Sequence, residues 1–171
     1  MPLTQTQMDH YREKGFVIVE DVLKDEDFQA IEHDYDVLIN QKAQQLLDEG
    51  LIQSPHADKP FSHRLAAIAN ELSEEEYNNF KRITGTLDIM KARAKPMFEF
   101  FFNPRLLSAV ESIVGPEITL SPIQHIRPYL PSRNDSQPMQ VPWHQDQGVT
   151  KEEADISEIL TVWIPMVDVD P

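Results

Sequence analysis

His144 and Asp146 stand one residue apart in the segment Val141-Pro142-Trp143-His144-Gln145-Asp146. In an extended strand, side chains two apart point to the same face. An imidazole nitrogen and a carboxylate oxygen would then lie side by side. That is half of the two-histidine, one-carboxylate triad that holds non-haem iron(II) with coordination positions left open. Such a site takes three protein ligands from one face and leaves the rest to a chelating 2-oxoacid and dioxygen. The tripeptide alone is a weak signal, because residue frequencies produce His-x-Asp about 0.2 times in a chain of this length. Taken by itself it is better read as a strand-end His and Asp that solvate or cap a turn.

The elements that must position these residues change character along the chain. Thr4 with Gln7 forms a capping box, and Gly15 stops the short helix that it opens. Phe16-Val17-Ile18-Val19 is a β-branched run suited to a buried strand. Over residues 25–49 the apolar positions Phe28, Ile31, Tyr35 and Leu38 recur at helical spacing, and Gly50 ends the pattern. Residues 50–60 read as a loop rich in turn formers. Ser73 with Glu76 is a second capping box, opening a helix to about Arg82. A further helix starts near Leu87, where Pro96 marks a kink or a restart. Asn103-Pro104 caps and opens another helix, which Gly115 closes. Met90, Met97, Phe98, Phe101 and Phe102 read as core packing rather than a cofactor box.

After Gly115 the pattern turns to strands, over 118–128, 139–143 and 159–169, with a charged loop over 151–158. If 118–128 is extended, Ile123, His125 and Arg127 share one face. The fold class expected is therefore α+β, with a helical amino-terminal part followed by strands. No repeat and no linker divides the chain, so residues 1–171 are expected to form a single domain.

Composition narrows the partners. The chain has 15 Lys and Arg against 29 Asp and Glu, a formal charge of −14. This argues against nucleic acid, whose phosphates are met by Lys and Arg, and against an anionic membrane surface. Cysteine is absent, which excludes disulfides, a thiolate nucleophile and Cys-ligated zinc. The amino terminus does not read as a signal peptide, and no apolar run reaches the roughly 20 residues of a membrane span. A soluble, cytoplasmic protein is the expectation.

Several segments resemble the phytanoyl-CoA dioxygenase family. They are the stretch from Tyr11-Arg12-Glu13-Lys14-Gly15-Phe16 to Val22-Leu23, Asn103-Pro104-Arg105-Leu106-Leu107, the Trp143-His144-Gln145-Asp146 block, and Leu160-Thr161-Val162-Trp163-Ile164-Pro165 with Met166-Val167-Asp168. The resemblance implies an Fe(II)- and 2-oxoglutarate-dependent dioxygenase of hydroxylase type on a double-stranded β-helix, or jelly roll, core. Position by position, His144 and Asp146 match the family's first histidine and its carboxylate ligand. Trp163 matches a strand tryptophan that lines the 2-oxoglutarate pocket; a plain core aromatic is the other reading. Ile123, His125 and Arg127 lie on the strand that gives cosubstrate and pocket contacts, although His125 also suits a structural role and Arg127 a strand-end charge.

The sequence also departs from the family. No histidine follows His144, and the last arginine is Arg133, whereas the family's second histidine ligand and its 2-oxoglutarate-binding arginine lie well downstream of His-x-Asp. His10, His33, His56 and His63 fall in predicted helices or loops. Three or four strands cannot close an eight-stranded jelly roll, so the chain is expected to be a truncated, amino-terminal part of such an enzyme and inactive alone. A non-catalytic binding domain of the same ancestry is the alternative, and an unrelated α+β binding module is a third.

Overall fold

In the computed structural model the described residues are 2–84, 94–121, 124–128, 130, 133, 146–149, 152 and 156–169. The Thr4 hydroxyl accepts from the Gln7 backbone N–H at 3.3 Å, and the Gln7 side chain accepts from the Thr4 N–H at 2.9 Å. Two of the donors orphaned at a helix start are thereby satisfied. Helix α1 runs Gln5–Lys14 and ends at Gly15, whose φ of 79° is open to a residue without Cβ. The Leu3 N–H donates to the Ser112 hydroxyl at 3.0 Å, which ties the start of the chain to a late helix.

The run after α1 departs from expectation. Residues 16–20 carry no regular structure, and Phe16 and Ile18 are exposed rather than buried. A strand exists only when a neighbour completes its ladder, and β-branched residues favour extended backbone without supplying that neighbour.

Helix α2, Asp25–Asp48, is the spine. Asp25, Glu26 and Asp27 occupy its first turn, where the helix dipole favours negative charge. Ile31, Tyr35, Ile39, Ala43 and Leu46 are buried along one stripe, the three-to-four-residue repeat of a helix face turned to a core. Helix α3, Phe61–Glu71, packs against α2 and was not anticipated from the sequence. Its signal was present in Leu65, Ile68, Ala69 and Leu72, but Arg64 interrupts the apolar face. Arg64 is 2% exposed. Its guanidinium donates to Asp36 at 2.8 Å, to Asn40 at 2.6 Å and to the Pro55 carbonyl at 3.2 Å. The fork is thereby satisfied where an unpaired buried charge would be costly.

Helix α4, Glu74–Thr84, begins where the Ser73 hydroxyl accepts from the Glu76 N–H at 3.3 Å. Helix α5, Lys95–Phe101, has Pro96 in its first turn, so the proline marks a start. The stretch before it, including Leu87 and Met90, lies outside the described residues. Helix α6, Pro104–Val114, is capped by the Asn103 side chain, which accepts from the N–H groups of Arg105 and Leu106 at 2.9 and 3.3 Å. Gly115 ends it with φ 85°.

Two clusters form the core. One joins Ile39, Ala43 and Leu46 of α2 to Ile68 and Ala69 of α3 and to Tyr77 and Phe80 of α4. The other joins Ile31 and Tyr35 to Met97, with Phe100 and Phe101 packed beside them. Phe98 and Phe102, expected in the core, are instead 48% and 72% exposed.

The expected fold class is corrected by the later segments. The described residues hold six α-helices and one 3-10 turn, with no strand and no sheet, rather than an α+β arrangement with jelly-roll strands. Residues 118–121, 124–128 and 159–169 have no ladder, and Val162, Val167 and Val169 are exposed. The β-branched composition of these segments records a backbone preference, and pairing among the described residues does not complete it. The expected strand over 139–143 lies outside the described residues. The later segments rest on the helices instead. Ile126 and Met166 pack against the cluster of Ile31, Tyr35 and Met97, and Leu130 packs against the larger one.

Candidate functional site

Asp146 opens a single 3-10 turn, Asp146–Val149, and its side chain is exposed. The Thr161 hydroxyl donates to its Oδ2 from fifteen residues farther along. Trp163 lies two residues beyond Thr161 and is 69% exposed, so it is not a core aromatic. The same segment is held down by Met166. His144 and Ile123 lie outside the described residues.

His125 and Arg127 are both exposed, and Ile126 between them is turned to the core. That alternation places the two polar side chains on the outward side of a segment anchored by its apolar neighbour. The described contacts therefore bring Asp146 to the segment of Thr161 and Trp163, and set His125 and Arg127 on a second segment. The sequence reading passed over Thr161. Its signal was a hydroxyl two residues before Trp163, within the stretch already singled out.

Arg133 was noted only as the last arginine, but it docks the chain on the helices. It donates to the carbonyls of Leu72 at 2.9 Å and Ser73 at 3.3 Å, and also to that of Ala69. Its guanidinium lies over the Tyr77 ring, 4.3 Å from the centroid. The cap carbonyl of Leu72 at the end of α3 thus receives a cation, as the helix dipole favours, while those of Ala69 and Ser73 accept from it in addition to the N–H groups of Leu72 and Tyr77.

A second charged cluster joins α2 to α6. Asp27 accepts from the Lys24 N–H and the Asn103 side chain, each at 2.8 Å, and from Arg105. The Lys24 backbone bond, followed by the Arg105 guanidinium, holds its carboxyl below the ordinary aspartate range. An open hollow on α2 is lined by Asn40, Gln41, Gln44, Gln45, Asp48 and Glu49. One helix and the residue after it supply that whole lining, and no candidate residue borders it.

Among the described residues no three His, Asp or Glu side chains gather to hold a metal. The donor that is described suits a hard or borderline cation: Asp146 is a solvent-accessible carboxylate, and Thr161 is a neutral hydroxyl partner that brings no charge of its own. No described helix is long and apolar enough to cross a membrane.

The chain matches the family described as Phytanoyl-CoA dioxygenase (PhyH) over residues 11–171. No curated protein and no solved structure matches it. The match takes in the His144-Gln145-Asp146 block, the segment of Thr161 and Trp163, and every helix from α2 onward. The chain belongs to the phytanoyl-CoA dioxygenase family.

Proposed function

We propose that this chain contributes to an Fe(II)- and 2-oxoglutarate-dependent dioxygenase in which His144 and Asp146 are two of the protein ligands to iron. The observation that carries the reading is family membership across the segment holding both residues. An exposed Asp146 carboxylate oriented by Thr161 supports it. Bound iron would supply the centre at which dioxygen is activated and 2-oxoglutarate is decarboxylated.

The chain's own residues bind and orient. Asp146 offers an anionic oxygen, and His144 offers a neutral imidazole nitrogen. Trp163, Ile123, His125 and Arg127 are proposed to border the 2-oxoglutarate pocket, Trp163 as a flat apolar wall and Arg127 as a cation for a carboxylate. The substrate is a small molecule whose identity family membership does not choose.

Calorimetric titration with Mn(II), with and without 2-oxoglutarate, tests the reading. The expected result is binding strengthened by 2-oxoglutarate and removed by both His144→Ala and Asp146→Ala. Heats identical in the parent and both variants would overturn it. That outcome would favour a non-catalytic binding domain of the same ancestry.

A further inference from the structure

We infer that Thr161 is a positioning residue for the candidate metal ligand Asp146. The inference rests on the reading of Asp146 as an iron ligand. It begins from a single contact: the Thr161 hydroxyl donates to Oδ2 of Asp146 and joins two segments fifteen residues apart. Both groups are exposed. A hydrogen bond between exposed neutral and charged groups adds little to folding, since water competes for each partner. Its consequence is directional. A carboxylate on a short side chain rotates freely unless a donor fixes one oxygen, and partners that orient metal ligands change affinity by about 10- to 100-fold.

The chemistry of the donor matters as much as its place. A Lys or Arg here would neutralise the carboxylate and compete with a cation for it. A hydroxyl holds one oxygen of the group and adds no opposing charge of its own. Thr161 also shares its segment with Trp163, and Met166 anchors that segment on the helical core. One hydroxyl therefore sets the candidate ligand in register with the wall proposed for the 2-oxoglutarate pocket.

The test compares Thr161→Val, which keeps the shape and removes the donor, with Thr161→Ser, which keeps the donor. Mn(II) affinity is read by electron paramagnetic resonance of the free ion, and helical content by circular dichroism. Thr161→Val should weaken Mn(II) binding about 10-fold with an unchanged helical signal, and Thr161→Ser should bind as the parent does. If Thr161→Val binds as tightly as the parent while Asp146→Ala loses binding, the positioning role is overturned and the iron-site reading stands. If Thr161→Ser is as weak as Thr161→Val, the hydroxyl is not the cause and the inference fails. If the parent binds no Mn(II), or binds it equally well without His144 and Asp146, both fall together.

Discussion

Three donors converge on Asp27: the Lys24 N–H at 2.8 Å, the Asn103 amide at 2.8 Å and the Arg105 guanidinium. All of them favour the ionised carboxyl, so its folded-state pKa lies below the unfolded value. A group depressed in this way contributes stability that is present above the ordinary aspartate pKa and is lost as pH falls through the folded value. Asp27→Asn removes the titration and keeps the shape. The parent should lose stability on acidification from about pH 5 downward more steeply than Asp27→Asn. Urea midpoints measured across that range check it, and parallel profiles would show that Asp27 contributes nothing to acid sensitivity. At the same scale, chemistry was legible where residue type is decisive. His-x-Asp and Trp163 could be picked from the sequence, whereas the hydroxyl of Thr161 has value only through a neighbour brought fifteen residues back.

Helix ends were the most legible elements, because a cap is a local interaction between residues two or three apart. Thr4 with Gln7, Asn103 with Arg105, and Gly15 and Gly115 at their helix ends all act where their types predict. Helix α3 was missed because Arg64 breaks its apolar stripe, and only the tertiary partners Asp36, Asn40 and the Pro55 carbonyl make a buried arginine tolerable there. Strands were misread for the complementary reason, since Phe16, Ile18, Val162 and Val167 state a preference that needs a partner strand to become a ladder. Arg133 is a tertiary cap of the same non-local kind. Arg133→Ala removes its donors from the carbonyls of Leu72 and Ser73 and its stacking on Tyr77, and should cost about 1–2 kcal/mol. Arg133→Lys should recover less than half of this, because an ammonium lacks the planar fork. Denaturation midpoints of the two variants test the point; equal stability of Arg133→Lys and the parent would reduce the contact to charge alone.

At the scale of the whole molecule, the helices carry the core and the candidate site hangs from them at a few apolar points. Ile126 holds the segment of His125 and Arg127, and Met166 holds the segment of Thr161 and Trp163; both meet the cluster of Ile31, Tyr35 and Met97. Neither is fully buried, so truncating each should cost less than the roughly 2–5 kcal/mol of a core Ile or Met. The larger cluster of Ile39, Ile68 and Phe80 does not include them. Ile126→Ala combined with Met166→Ala should therefore release the later segments before it unfolds the bundle, as expected where local opening follows apolar contact. Limited proteolysis should show cleavage within residues 124–128 and 156–169 become faster, with the protection of α2 and α3 retained. Because Thr161 orients Asp146 only while its segment stays docked, Mn(II) affinity should fall in the same double variant. Cleavage within α2 at the same rate as within residues 156–169 would mean that the site and the bundle unfold as one unit, and that these two side chains belong to the core proper.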